Sequence, residues 1–311
     1  MNHLHFYNGF GLQIASEIEF IELLPSDTKD PDVFIRYGTL PDNIFPELEQ
    51  AKIYTLFREK EFLLYIPGIA KYRALEGKEI IVDPCSEADK ESIRLFLLSI
   101  TMAALLTQRK KILLHASAIL LNGELVLFVG DSGAGKSSIV AELSKRGYSL
   151  FSDDVCVLEC LPEKTPGMYA YSSYPMMKLW EDTVQKLDDN QFDKTYKIRP
   201  QVSKYGQFFH EQFSKSPYPI KKIFVLNPVE DQIGEYAAKI IIGLEAFKYL
   251  SKNTYRRQFL HEHSLQALHL KQMSFLVQSA EIILMTRNKD NSEIGTFTDF
   301  LENIMGKSEF I

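Results

Sequence analysis

The chain has 311 residues, 45% of them hydrophobic and 24% charged, with 35 Lys plus Arg set against 41 Asp plus Glu for a net charge of -6. This apolar content excludes a disordered chain, and the length suits one large or two modest globular domains. The acidic balance offers no global positive field, so neither nucleic acid nor an anionic membrane is an expected partner.

The opening Met1-Asn2-His3-Leu4-His5 has neither the basic region nor the apolar stretch of a signal peptide. Strands are expected at Leu12 to Glu17, Val33 to Tyr37, Ile53 to Arg58, Glu61 to Ile66 and Glu79 to Val82, separated by polar turns. From Ser86 the period changes: Ile93, Phe96, Leu97, Ile100, Ala103 and Ala104 recur at helical spacing, and Ser86 and Asp89 suit the helix cap. Its most apolar part, Leu95 to Leu106, ends before Gln108-Arg109-Lys110-Lys111, well short of the roughly 20 residues that cross a bilayer. The expected division is a small β-rich N-terminal domain over 1–86, a linking helix over 87–110 and a larger α/β domain over 111–311.

That larger domain opens with apolar strands around Asn122-Gly123, a dipeptide that favours a two-residue type I′ hairpin. A strand, loop, helix, strand sequence follows through Val157. Residues 160–220 show little periodicity and read as long connections with one short helix at Trp180 to Leu187. Strands at Lys222 to Leu226 and Glu281 to Thr286, and helices at Ser264 to Ser279 and Phe297 to Ile304, complete the reading. Cys85, Cys156 and Cys160 are too few and too odd in number for a disulfide framework, which points to a reducing compartment and a cytoplasmic location.

The strongest chemical signal is Gly130-Asp131-Ser132-Gly133-Ala134-Gly135-Lys136-Ser137, which satisfies G-x-x-x-x-G-K-[ST] at every fixed position. Leu125 to Val129 precedes it as a buried-strand run, and Ile139, Val140 and Leu143 follow as a helical stripe. In such a loop, backbone N–H groups and the helix N-terminus face phosphate oxygens. Residues 130–138, including Ser138, are therefore the candidate nucleotide cradle, with Lys136 on the outer phosphates and Ser137 on Mg²⁺. ATP and Mg²⁺ are the implied cofactors. The helix after the loop and the extended run Tyr148 to Ser152 cover similar distances, so Asp153-Asp154 returns to the loop edge, on a strand expected to be a parallel neighbour. One carboxylate suffices for Mg²⁺ and the second can accept a proton from an attacking hydroxyl. With Asn122-Gly123 as the turn, Leu121 faces Glu124 and counting outward pairs His115 with Gly130, beside the phosphates.

Other groups carry less. Cys156 and Cys160 read as core or surface thiols, His261, His263 and His269 as solvent-exposed, Arg256-Arg257 as part of a salt-bridged helix face, and Lys178 belongs to no motif.

His115-Ala116-Ser117-Ala118, the loop 130–137 and Lys145 to Asp154 together resemble the HPr kinase/phosphorylase family of bacterial serine kinases. More widely, the β-rich start, the linking helix and Tyr174 to Trp180 are similar to stand-alone HPr-kinase-like proteins, including those acting on a serine of lasso-peptide precursors. The resemblance implies an α/β fold whose mixed sheet, flanked by helices, is related to that of phosphoenolpyruvate carboxykinase. It further implies Asp153 as general base, His115 as the group that orients or charges it, Lys136 and Ser137 as phosphate and Mg²⁺ ligands, and Asp154 as an accessory metal or positioning carboxylate. The second family motif, of Leu-Glu-Ile-Arg-Gly type, is not visible after Asp154, so the reverse phosphorylase activity is not expected and HPr need not be the substrate. The expected reaction is ATP-dependent transfer to a serine-type hydroxyl of a peptide or small protein, with a small-molecule kinase or an ATPase switch as alternatives and a homo-oligomer as one possible state.

Overall fold

The computed structural model describes residues 3–45, 52–161, 167–187, 192, 194–230, 236–288 and 293–306. It is a mixed α/β protein with two large mixed sheets. The first contains β1 (His5–Gly9), β2 (Leu12–Ser16), β3 (Leu24–Pro25), β4 (Val33–Tyr37), β5 (Tyr54–Arg58), β6 (Glu61–Ile66), β7 (Ala70–Leu75) and β8 (Glu79–Pro84), in the order β3-β1-β2-β4-β8-β7-β6-β5. The five expected strands are all present. Three more, β1, β3 and β7, are not among the expected strands; β7 buries Ala70, Tyr72 and Ala74 in strict alternation, a weak signal because two of its three inward residues are alanines.

Two helical segments, α1 (Lys90–Phe96) and α2 (Met102–Gln108), are joined without a break by a π-helical turn, Leu97–Thr101. Asp89 caps the first, its carboxylate accepting from the Ser92 N–H at 2.7 Å. The continuous helix Lys90–Gln108 is long and apolar enough to span a bilayer, but most of it is buried inside the protein. The core around it joins Ile14, Phe62 and Tyr72 of the first sheet to Leu113, Val155 and Met176 further along the chain, so the apolar interior is continuous between the sheets.

The second sheet contains β9 (Ile112–Leu114), β10 (Ala116–Leu121), β11 (Glu124–Gly130), β12 (Ser149–Ser152), β13 (Cys156–Cys160), β14 (Met168–Ser172), β17 (Tyr218–Val229), β18 (Tyr236–Ile240) and β19 (Glu281–Asn288). Its centre is parallel, β11 beside β17 and β17 beside β19. One face is covered by α3 (Lys136–Lys145) and α7 (Ile294–Met305), the other by α5 (Gly243–Lys252) and α6 (His263–Ser279). A separate ribbon pairs β15 (Met176–Trp180) with β16 (Lys204–Phe208), and α4 (Glu181–Leu187) follows β15 directly.

The hairpin register is as expected: Leu121 faces Glu124 and the ladder runs to Ala116 opposite Val129, with positive φ at both Asn122 and Gly123. Two expectations need correction. Strand β12 is not the neighbour of β11, because β10 lies between them and pairs antiparallel with each. The region 160–220 is also not mainly loop among its described residues: β14, β15 and β16 lie there. The ribbon strands find each other across a long sequence separation, and no local turn marks the pairing.

Candidate active site

Where β9 passes into β10, and where β12 passes into β13, the chain changes strand partners. Strand β9 pairs with β13 and β10 with β12, leaving His115 on one side of the break and Asp153-Asp154 on the other. At the second break Asp154 adopts φ 72, a left-handed conformation costly for a non-glycine residue and concentrated at functional sites. The break frees these side chains from the regular ladder and brings them to the phosphate loop.

The loop itself takes the shape its glycines permit. Gly133 and Gly135 have φ of 82° and 99°, and Gly130 packs so closely that a Cβ there would lie 2.6 Å from the Leu226 carbonyl oxygen. Lys136, the first residue of α3, donates to the Gly130 carbonyl at 2.8 Å and the Asp131 carbonyl at 3.1 Å. Burial pulls its pKa below the ordinary lysine value, with Asp153 opposing the shift. Asp131 faces outward and pairs with Lys252 at 2.7 Å. Ser132, Gly133, Ala134, Gly135, Lys136, Ser137 and Ser138 line a cavity of about 720 Å³, together with His115, Asp153 and Asp154.

The two aspartates are held in different ways. Asp153 is only 1% exposed. Its Oδ1 accepts from Ser117 Oγ at 2.6 Å and Ser137 Oγ at 2.8 Å, and its Oδ2 accepts from the Lys178 N–H at 2.9 Å. Asp154 turns to Lys178, whose Nζ lies 2.9 Å from Oδ2, and to His115, whose Nδ1 is 3.4 Å from Oδ1. Burial raises the Asp154 pKa, but Lys178 and His115 overcome it and hold the carboxyl well below the usual range. Lys178 is buried, yet Asp154 keeps its pKa well above the ordinary value.

His115 is placed by its backbone as much as by its ring. Its N–H donates to the Asn253 carbonyl at 2.8 Å, while Asn253 Oδ1 accepts from the Gly130 N–H at 2.9 Å. The residues expected to be cross-strand neighbours are therefore bridged by Asn253, just beyond α5. His115 Nδ1 also lies 2.8 Å from the Asp154 carbonyl oxygen. That contact requires a proton on Nδ1, and burial, reinforced by Lys136, lowers the imidazole pKa while Asp154 opposes the shift.

Sequence reasoning missed Lys178 and Asn253. Both act through contacts between residues distant in sequence, and neither sits in a recurring spacing. It also misplaced two groups: His269 is buried and bonded to Thr254 at 2.7 Å, while Arg256 has φ 53 and stacks over Tyr255 at 5.3 Å. His269 faces the core because α6 directs it inward beside Leu265 and Met273. Among the described residues neither Arg256 nor Arg257 belongs to an ion pair, since the chain there forms a tight 3-10 turn and not a solvated helix face.

The residues present fit a phosphate group and Mg²⁺. The loop supplies an ammonium and a hydroxyl, and Asp153, at the break between β12 and β13, adds a carboxylate bonded to that hydroxyl. Among the described residues no group of three or more His, Cys, Asp or Glu is arranged to hold a metal. Mg²⁺ is commonly held by one or two protein ligands together with substrate phosphates and waters, which is what Ser137 and Asp153 can provide.

No family model matches the chain. Over 51 residues it is 43% identical to the HPr kinase/phosphorylase of Caldicellulosiruptor bescii, covering 16% of this chain and 16% of that protein. Over 62 residues it is 37% identical to the HPr kinase/phosphorylase of Mycoplasmopsis pulmonis, covering 20% of each. The Hpr(Ser) kinase/phosphatase structure from Coxiella burnetii matches with a TM-score of 0.31 and 12% identity, over 62% of this chain and 90% of that one. The chain thus spans one fifth or less of the curated relatives it matches, and it has distant similarity to HPr kinase/phosphorylase over that part of its length.

Proposed function

We propose that the protein is an ATP- and Mg²⁺-dependent kinase that transfers the γ-phosphate to a serine-type hydroxyl of a peptide or small protein. The observation that carries this reading is the hydrogen bond from Ser137 to Asp153. It joins the phosphate loop to a buried carboxylate on the wall of the same cavity. When bound, Mg²⁺ neutralises phosphate charge and orients the terminal phosphoryl group.

In this reading Lys136 neutralises the outer phosphates and Ser137 stands at the metal position. Asp153 lies against Ser137 and accepts the proton of the attacking hydroxyl. Asp154 is ion-paired to Lys178 and contacts His115, so it braces the imidazole, and the metal-side carboxylate of our proposal is Asp153, which is bonded to Ser137. The brace holds His115 in place, while burial and Lys136 lower the imidazole pKa. The partial matches to HPr kinase/phosphorylases support the assignment of reaction type.

The test is Asp153→Asn. The amide keeps the size and loses the basic oxygen, so transfer to a serine-containing peptide pool is expected to fall roughly a thousandfold, with ATP binding measurable by titration. Transfer at the parent rate would remove Asp153 from the reaction. Steady phosphate release from ATP with no acceptor present would favour an ATPase switch instead.

A further inference from the structure

The ribbon β15–β16 lines the same cavity as the phosphate loop, and its cations are treated unequally. Lys178 is opposite Gly206 and Trp180 is opposite Lys204, so Lys178, Trp180 and Lys204 share one face of the ribbon. Residues two apart across such a ladder lie about 7–8 Å from each other. Both lysines and Trp180 line the cavity.

Lys178 is neutralised by Asp154. Lys204 has no carboxylate within ion-pair distance among the described residues, and its ammonium lies 5.4 Å from the centre of the Trp180 ring. Burial lowers the Lys204 pKa, with Asp154 and Asp153 opposing and Lys178 adding to the shift. A half-buried cation beside a second cation is costly in a folded protein unless an anion joins it. The phosphate loop, with Lys136, lines the same cavity.

We propose that Lys204 is a catalytic residue whose ammonium contacts the transferring phosphoryl group from the side opposite the phosphate loop, with Trp180 holding the side chain in place. The inference rests on the phosphoryl-transfer reading above. In the step, the bond from the γ-phosphorus to the β–γ bridging oxygen breaks and its electron pair leaves on ADP. A bond from the acceptor oxygen to phosphorus forms, and the acceptor proton passes to Asp153. Lys204 exchanges no proton; it balances charge on the equatorial oxygens, where a cation supplied from across the site is most effective.

The experiment uses the full chain with ADP, Mg²⁺ and aluminium fluoride, which mimics the phosphoryl group in flight and needs no acceptor. In the parent protein, fluoride is expected to tighten ADP binding. Lys204→Met is expected to bind ADP·Mg²⁺ within about threefold of the parent and to lose about tenfold to a hundredfold of that tightening. Lys204→Arg should retain most of it, and Trp180→Ala should lose an intermediate amount, which separates the role of the cation from a folding defect. Full tightening in Lys204→Met overturns the proposal, including the case in which that variant loses only affinity for an acceptor. A parent that binds no ADP·Mg²⁺ defeats the nucleotide reading as well, whereas a parent that tightens alongside an unchanged Lys204→Met defeats this inference alone.

Discussion

The two walls of the cavity are built from the chain in opposite ways. The phosphate-loop wall comes from consecutive residues, 130–138, between one strand and one helix. The facing wall joins β15 and β16, whose partners are distant in sequence, to Asp153-Asp154 at a break between strands. The first wall is a local motif whose glycines fix its shape. The second exists only after the sheets have formed, and buried charge pairing holds it in place. Damage to the first wall should therefore appear mainly in nucleotide chemistry, and damage to the second in stability as well.

The sharpest test of that contrast is Lys136→Met. It removes the ammonium that lies on the Gly130 and Asp131 carbonyls. Transfer should fall roughly a thousandfold or more, while thermal unfolding shifts little; a large drop in unfolding temperature would erase the distinction between the walls. On the facing wall, Lys178→Met leaves Asp154 without its main cation. A loss of about 3 kcal/mol is expected in urea unfolding. Adding Asp154→Asn should restore much of it, and a double-mutant cycle with no coupling would show that the pair does not brace this wall.

Asn253 ties one wall to the other through Gly130 and His115. Asn253→Ala leaves the Gly130 N–H without its partner and should cost about 2 kcal/mol, with weaker ADP binding as an accompanying change. Unchanged stability and affinity would mean that another group satisfies the loop. The last expected effect lies outside both walls. The pKa of His269 is pulled down to about 4, first by burial and then by Arg257, against about 6.5 in an unfolded chain. Between these values the unfolded chain binds more protons, so stability falls as pH drops from about 6.5 toward 4, by about 2 kcal/mol near pH 5. Urea midpoints of His269→Gln across this range should lose that slope.

The first sheet shows how far alternation carries. Strands such as β6, with its run of apolar residues, were legible, while β7 was masked by inward alanines. The long helix was legible from its period, but its π-helical turn was not. At the site, the hairpin count placed His115 near Gly130 because Asn122-Gly123 fixes a register that the ladder then propagates. The same count could not show that Asn253 enters between them. Nor could residue spacing distinguish Asp153 from Asp154, because their difference depends on which way each side chain turns at a strand break.

By itself, the order of residues determined the phosphate loop, the hairpin beside it and the return of two carboxylates to its edge. These depend on glycine geometry, turn chemistry and the repeat lengths of helix and strand, all of which act over a few residues. Only the tertiary structure decided that Lys178 neutralises Asp154, that Lys204 has no carboxylate within ion-pair distance among the described residues, and that His269 is buried. Those outcomes depend on desolvation and on charges brought together from distant parts of the chain, and neither quantity exists until the sheets have packed.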